Sequence, residues 1–253
     1  LMVEIFLLSL IQGITEFLPI SSSSHLIIFS NYTNFENQSL SIDISLHIGS
    51  FLAVITYFYK DLINFFKNKK LFLKILIAST PVMFFGFLLV QTNLIDKLRN
   101  IEVIGWTTFI FGILLYLSDR YKLKKDISSD FNYKSAIFIG LFQILSLVPG
   151  VSRSGITITA ARFLKFKRLD SAKISFLLSI PTLGAVSLFG LKNLLINEDI
   201  NISILNLISI FFSYIFSLIT INYFLKYIKN FSLSIFVIYR IILGLILLFF
   251  AYL

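Results

Sequence analysis

The chain has 253 residues, no cysteine, two histidines and a formal net charge of +9, with 57% hydrophobic residues against 14% charged. That balance lies far from the soluble range and excludes disulfides, thiolate metal sites, a cysteine nucleophile and a histidine-rich metal centre. At about 20 apolar residues per crossing, the length holds roughly six to eight membrane segments and no separate soluble domain.

The first apolar run is 2–12. Its opening, LMVEIFLLSLIQG, lacks the basic start and small-residue cleavage site of a signal peptide and reads as part of the fold. It passes into QGITEFLPISSSSHL, residues 12–26, where polar groups take the place of lipid-soluble ones. Further apolar segments cover approximately 42–59, 75–93, 103–118, 135–148, 174–191, 204–225 and 233–253. Basic residues cluster in four connections, Lys60 to Lys74, Arg120 to Lys134, Arg162 to Lys173, and Lys226 with Lys229, which hold 17 of the 22 Lys and Arg. Connection 31–41 has none, and 94–102 and 192–203 offset theirs with acids. The positive-inside rule places the four rich connections in the cytoplasm.

A true span must carry the chain from one side to the other, and 42–59, 75–93, 103–118, 174–191, 204–225 and 233–253 do so. Segment 135–161 starts and ends beside basic clusters, and the first thirty residues must end outside with no basic anchor at Leu1. Both therefore read as re-entrant hairpins. The expected fold is an all-α polytopic membrane protein, one membrane domain of six transmembrane helices plus two re-entrant helical hairpins in an inverted repeat, roughly 1–118 and 134–253.

Each hairpin carries a breaker followed by small polar residues, FLPISSSSH (17–25) and LVPGVSRSG (147–155), and the two tips are expected to face each other. Serines after a proline turn can cap a new helix, whose free N–H groups and dipole attract anions. In the second tip Arg153 stands among Ser152, Ser154 and Gly155, a fork of donors beside backbone that a ligand can approach closely. This is phosphate-binding chemistry. An arginine at membrane depth costs roughly 2.5–3.5 kcal/mol, so an anion or a buried carboxylate should accompany it.

The first hairpin supplies that carboxylate. On a helix Gln12 and Glu16 share a face, as do Ser21 and His25, and Ser22 meets His25 across three residues. The cluster offers a hydroxyl, an imidazole, a carboxylate and a carboxamide, parts of a nucleophile and its base with an orienting group or a divalent-metal ligand.

These residues also resemble the bacterial undecaprenyl-diphosphate phosphatases of bacitracin resistance. The resemblance rests on the Gln12–His25 element and on Pro149–Gly155, with weaker matches in HIGSFLAVITYF (47–58), SFLLSIPTLGA (175–185) and FVIYRIILG (236–244). It implies removal of the terminal phosphate from a C55 polyprenyl diphosphate at a bacterial plasma membrane, and a fold of six spans and two re-entrant hairpins. Carried onto this chain it makes Ser22 the nucleophile, His25 its acid/base partner, Arg153 the diphosphate clamp, and Glu16 and Gln12 contributors to metal or base function, with Mg2+ or Ca2+ as the cation. Ser21, Ser152, Ser154 and Gly155 are the expected substrate contacts. Many members have glutamate where this chain has Gln12, which can coordinate but cannot act as a base. Direct attack by water stays open beside a phosphoserine route.

The expected partners are the polyprenyl diphosphate and membrane lipid, with a homodimer allowed and no nucleic acid, because topology and anionic lipid account for the basic loops. The site is expected to face the periplasm or cell exterior, since its acid, base and nucleophile hang from the outer hairpin. The competing class is a polyprenyl-phosphate flippase or other inverted-repeat transporter, which would release no phosphate. Ser23 and Ser24 read as helix-packing serines, His47 as structural with a site role open, Glu4 and Glu102 as interfacial charges, and Pro81 and Pro181 as helix kinks. Arg240, near the cytoplasmic end of its span, reads as a snorkelling side chain.

Overall fold

A computed structural model describes residues 2–33, 40–67, 69–92, 98–196 and 204–253. The expectations for 34–39, Asn68, 93–97 and 197–203 lie outside the described residues. The described elements are helices: α1 Met2–Thr15, α2 Ser22–Thr33, α3 Leu40–Tyr57, α4 Tyr59–Lys67, α5 Lys69–Gln91, α6 Ile101–Asp119, α7 Ile127–Asp130, α8 Tyr133–Ile144, α9 Arg153–Phe163, α10 Arg168–Ile196, α11 Ile204–Asn230 and α12 Ser234–Tyr252. A 3-10 turn, Leu145–Leu147, closes α8.

Five of them, α5, α6, α10, α11 and α12, are long and apolar enough to cross a bilayer, while α1, α3 and α8 are shorter apolar helices. The chain is therefore a polytopic membrane protein. The expected segment 42–59 is α3, which ends at Tyr57, and the charges that begin at Lys60 fall in the separate α4. Asp61 of α4 pairs with Lys173 at 2.8 Å. Large apolar side chains face outward, among them Phe84, Phe87, Ile238 and Phe249. Small hydroxyls face inward: Ser50 lies 3.2 Å from Ser213 and 3.1 Å from Ser217 across the α3–α11 contact. This inside-out distribution is what lipid as solvent favours, with small polar residues joining helices that the hydrophobic effect does not drive together.

Helix contacts come in matched pairs. α3 packs on α11 as α10 packs on α5, and α1 packs on α11 as α8 packs on α5. The close approaches repeat as well. A Cβ at Gly13 of α1 would lie 2.5 Å from Phe216 Cβ on α11, and one at Gly140 of α8 would lie 2.5 Å from the Ala78 carbonyl on α5.

One end of the bundle gathers the basic connections. Asp119 accepts from Arg168 Nε at 2.7 Å and from the Leu233 N–H at 3.1 Å. Lys74 donates to the Phe131 carbonyl. Away from these connections Ile5 and Leu8 of α1 and Leu26 of α2 form one apolar cluster with Ile42 and Leu46 of α3, against Leu205 and Ile208 of α11.

Candidate active site

Both tips are built on the same backbone device. After α1 the Glu16 N–H still donates to the Gln12 carbonyl at 3.0 Å, the chain turns at Pro19, Ser21 takes φ 73°, and α2 starts at Ser22. In the second hairpin the chain turns at Pro149, Ser152 takes φ 71°, and α9 starts at Arg153. Positive φ is strained for a serine and persists only where its surroundings enforce it. Ser22 and Arg153 thus occupy equivalent places, each the first residue of a returning helix.

Glu16 joins them. Its Oε2 accepts from Ser22 Oγ at 2.7 Å, and its Oε1 pairs with an Arg153 guanidinium nitrogen at 3.0 Å. The carboxylate is buried, and both charges leave water together, which this pairing compensates. Arg153 also reaches the Ser175 carbonyl at 3.4 Å, while its Nε is buried with no partner. Arg153 therefore keeps donor capacity unused. Ser175 is itself held, accepting from Thr157 Oγ1 at 2.7 Å.

Gln12 is fully buried, with its amide nitrogen 3.2 Å from Glu16 Oε2, 3.1 Å from His47 Nδ1 and 3.4 Å from Ser50 Oγ. An amide N–H only donates, so His47 Nδ1 is the acceptor there. His47 thereby joins the site, the role the sequence left open. Gln12 Oε1 is buried with no partner, a free carbonyl oxygen beside the carboxylate.

The expected Ser22–His25 contact is not made, because Ser22 donates to Glu16 instead. His25 Nδ1 lies 2.6 Å from the Ser21 carbonyl, so that nitrogen carries the proton, and Nε2 accepts from Tyr239 OH, whose ring stacks on the imidazole at 12°. His25 holds the turn that presents Ser22 rather than the hydroxyl itself. Ser21 Oγ is 2.9 Å from Ser24 Oγ, which keeps Ser24 inside the hairpin as a packing residue.

The tips meet directly. Ser154 Oγ donates to the Leu18 carbonyl at 2.7 Å, and Ser152 Oγ caps α9 by accepting from Gly155 N at 3.1 Å. Arg240 is not a snorkelling side chain. It is fully buried and donates to four carbonyls, Pro19 (3.2 Å) in the first tip, Gly150 (2.8 Å) and Val151 (3.0 Å) in the second, and Thr108 (3.2 Å) on α6. The space at Gly155 serves this side chain, since a Cβ there would lie 2.8 Å from an Arg240 nitrogen. The signal for Arg240 was an arginine in the apolar run FVIYRIILG; its depth depends on where α12 sits. Ser50, Ser175 and Tyr239 lie within the weaker matches 47–58, 175–185 and 236–244, but nothing in those runs set them apart as site residues.

Residues 5–246 match the family described as "Bacitracin resistance protein BacA". The chain belongs to this family. It is 51% identical to the Undecaprenyl-diphosphatase of Pelagibacter ubique, over 97% of this chain and 96% of that protein. It is 41% identical to the Undecaprenyl-diphosphatase of Jannaschia sp., over 98% of each chain, and 37% identical to that of Ruegeria sp., over 99% of each. The family match covers both hairpins, as the resemblance of the Gln12–His25 and Pro149–Gly155 elements implied.

Proposed function

We propose that the chain hydrolyses undecaprenyl diphosphate to undecaprenyl phosphate and inorganic phosphate, recycling the lipid carrier of cell-wall synthesis. The observation that carries the mechanism is the Glu16 carboxylate bridging Ser22 of one hairpin and Arg153 of the other. The diphosphate draws Arg153 toward its oxygens, which removes the counter-charge from Glu16 and raises its basicity. Glu16 Oε2 takes the Ser22 hydroxyl proton, Oγ bonds to the terminal phosphorus, and the phosphorus–oxygen bond to the lipid phosphate breaks. Water then attacks the phosphoserine, giving inorganic phosphate and returning the proton to Ser22. The base role goes to Glu16 rather than His25, because Glu16 is the group within hydrogen-bond reach of the hydroxyl. His25 and Tyr239 position Ser21 and hence the nucleophile.

The donor set also suits a hard divalent cation. Gln12 Oε1 is the unpartnered buried oxygen, Glu16 supplies the carboxylate, and such cations complete their shell with phosphate oxygens and water. Among the described residues no group of three or more His, Cys, Asp and Glu gathers at one point, so the substrate itself would complete the shell. Mg2+ or Ca2+ held by Glu16 and Gln12 would neutralise charge on the phosphates.

In the bilayer of a bacterial plasma membrane, α3 joins the five longer helices as a sixth span, and the α1–α2 and α8–α9 pairs are re-entrant hairpins of opposite orientation. The matched helix contacts support this reading, as does the gathering of basic connections at the end where the second hairpin starts and returns. That end is cytoplasmic, and the site opens to the other side.

Phosphate release from the C55 diphosphate by the purified chain, with and without chelator, tests the activity and the metal. Brief incubation with terminally radiolabelled substrate followed by acid quench should trap label on wild-type protein and none on Ser22→Ala. Label-free protein that still turns over would assign the attack to water. The chain has no cysteine, so single cysteines read topology directly: Arg99→Cys should react with an impermeant thiol reagent in intact cells and Ser128→Cys only after permeabilisation. The reverse pattern would put the site on the cytoplasmic side.

A further inference from the structure

A pocket lined by basic side chains lies at the basic end, at the opposite end of α9 from Arg153. Arg120, Tyr121, Lys122, Lys124 and Lys165 line a pocket of about 370 Å³ between the end of α6 and the turn after α9. Sidedness of topology needs basic residues in a connection, but it does not need them to converge on one concavity. The neighbouring carboxylates are already engaged. Asp119 is taken by Arg168 at 2.7 Å and Arg162 at 3.5 Å, Asp126 by Lys167 at 2.7 Å, and Asp130 by Ser129 Oγ at 2.7 Å and the Asp126 N–H at 3.0 Å. Among the described residues the ammonium groups of Lys122, Lys124 and Lys165 have no partner, and Arg120 stacks over the Tyr116 ring at 4.5 Å.

The pocket walls are fixed. Buried Arg162 donates to the carbonyls of Asp119, Tyr121 and Phe166, and the N–H groups of Lys124 and Lys125 both donate to the Lys165 carbonyl at 3.0 Å. Lys165 takes φ 71°, so its side chain leaves the end of α9 by a strained turn that these bonds hold. Beside the cations, Ile113 and Leu117 on the outer face of α6, with Tyr121 and Leu123 beyond it, are exposed and apolar. A free phosphate would use only the cations, whereas a lipid would use both.

We propose that this pocket binds the phosphodiester headgroup of an anionic phospholipid, with an acyl chain lying along the exposed face of α6. Four cations without counter-ions attract the headgroup, and the adjoining apolar strip sets the orientation of the lipid.

The test uses the purified full chain in neutral detergent micelles. Dioctanoyl phosphatidylglycerol, glycerol 3-phosphate and inorganic phosphate are titrated separately by calorimetry. Wild-type protein should bind the lipid saturably, near one per chain, without binding either water-soluble phosphate measurably. Lys122→Gln/Lys124→Gln/Lys165→Gln should weaken the lipid by about tenfold or more, while the equal charge change Lys60→Gln/Lys69→Gln/Lys70→Gln stays within about twofold. Phosphate release from a short-chain diphosphate should be unchanged in both triple variants, which establishes that they fold. Equal weakening in the two variants, or no saturable lipid binding in the wild type, overturns the site. Binding of glycerol 3-phosphate as tight as that of the lipid overturns the lipid assignment and leaves a free-phosphate site.

Discussion

The two hairpins share one frame and differ in chemistry. Registered on the left-handed residues Ser21 and Ser152, Gln12 corresponds to Gln143, Glu16 to Leu147, Ser22 to Arg153 and His25 to Ile156. The first hairpin carries a carboxylate, a hydroxyl and an imidazole, all hydrogen-bonded, whereas the second carries the guanidinium and an apolar residue where the carboxylate would be. Gln143 is fully buried with both amide atoms unpartnered, while Gln12 touches three polar neighbours. The Leu147 side chain packs toward Gly86 of α5, in an apolar groove with Val82 and Phe87. A repeated backbone supplies two facing helix starts, and under the proposed mechanism the copies specialise, one in attack and one in holding the anion.

The largest expected effect breaks the bridge between the copies. Glu16→Gln, Ser22→Ala and Arg153→Lys should each lower kcat for phosphate release by several orders of magnitude, and Glu16→Gln/Ser22→Ala should cost little more than either alone, because the groups act as a unit. Multiplicative losses in that double variant would separate Glu16 from the hydroxyl.

Arg240 holds the copies together, so its removal comes next. Arg240→Met takes the donor from three buried tip carbonyls, Pro19, Gly150 and Val151, while the Thr108 carbonyl keeps its bond within α6, and should lower the thermal midpoint in detergent, at a cost on the order of 1–3 kcal/mol for each group left dry. Arg240→Lys keeps the charge but cannot span the same set, and should fold with at least a tenfold loss in kcat. A wild-type midpoint in Arg240→Met would mean the tips hold their register unaided.

Tyr239→Phe keeps the ring stacked on His25 and removes its hydroxyl. A loss of about tenfold in kcat with KM unchanged would place the pair in positioning; His25→Ala adding nothing to Tyr239→Phe sharpens the assignment. The smallest effect belongs to Gln143. Replacing an unpartnered buried amide with an apolar isostere, Gln143→Leu, should leave activity unchanged and raise the midpoint, whereas Gln12→Leu should lose activity. Equal losses in the two would assign the second hairpin a chemical role that its contacts do not suggest.

Much of the site could be read from the chain. Breakers followed by serines located both tips, and helical spacing joined Gln12 to Glu16, a contact the structure makes at 3.2 Å. The same spacing misled at Ser22 and His25. Three residues apart on a helix they could meet, but Ser22 is the first residue of α2, its hydroxyl reaches Glu16 across the turn, and the imidazole is drawn to the Ser21 carbonyl and Tyr239. The left-handed turn at Ser21, rather than helix periodicity, decides which partner the hydroxyl finds.

By itself the sequence determined the solvent, the helical class and the breakpoints, because hydropathy, charge placement and proline act over a few residues and need no partner. It also determined which residue types could handle a phosphate. Only the tertiary structure decided which of them share a proton or a charge. Glu16 and Arg153 are 137 positions apart, and Arg240 meets Pro19 across 221. Bonds of that kind depend on how α6, α9 and α12 pack, and in a membrane that packing is set by small residues and buried polar groups, which a linear hydropathy pattern scarcely records.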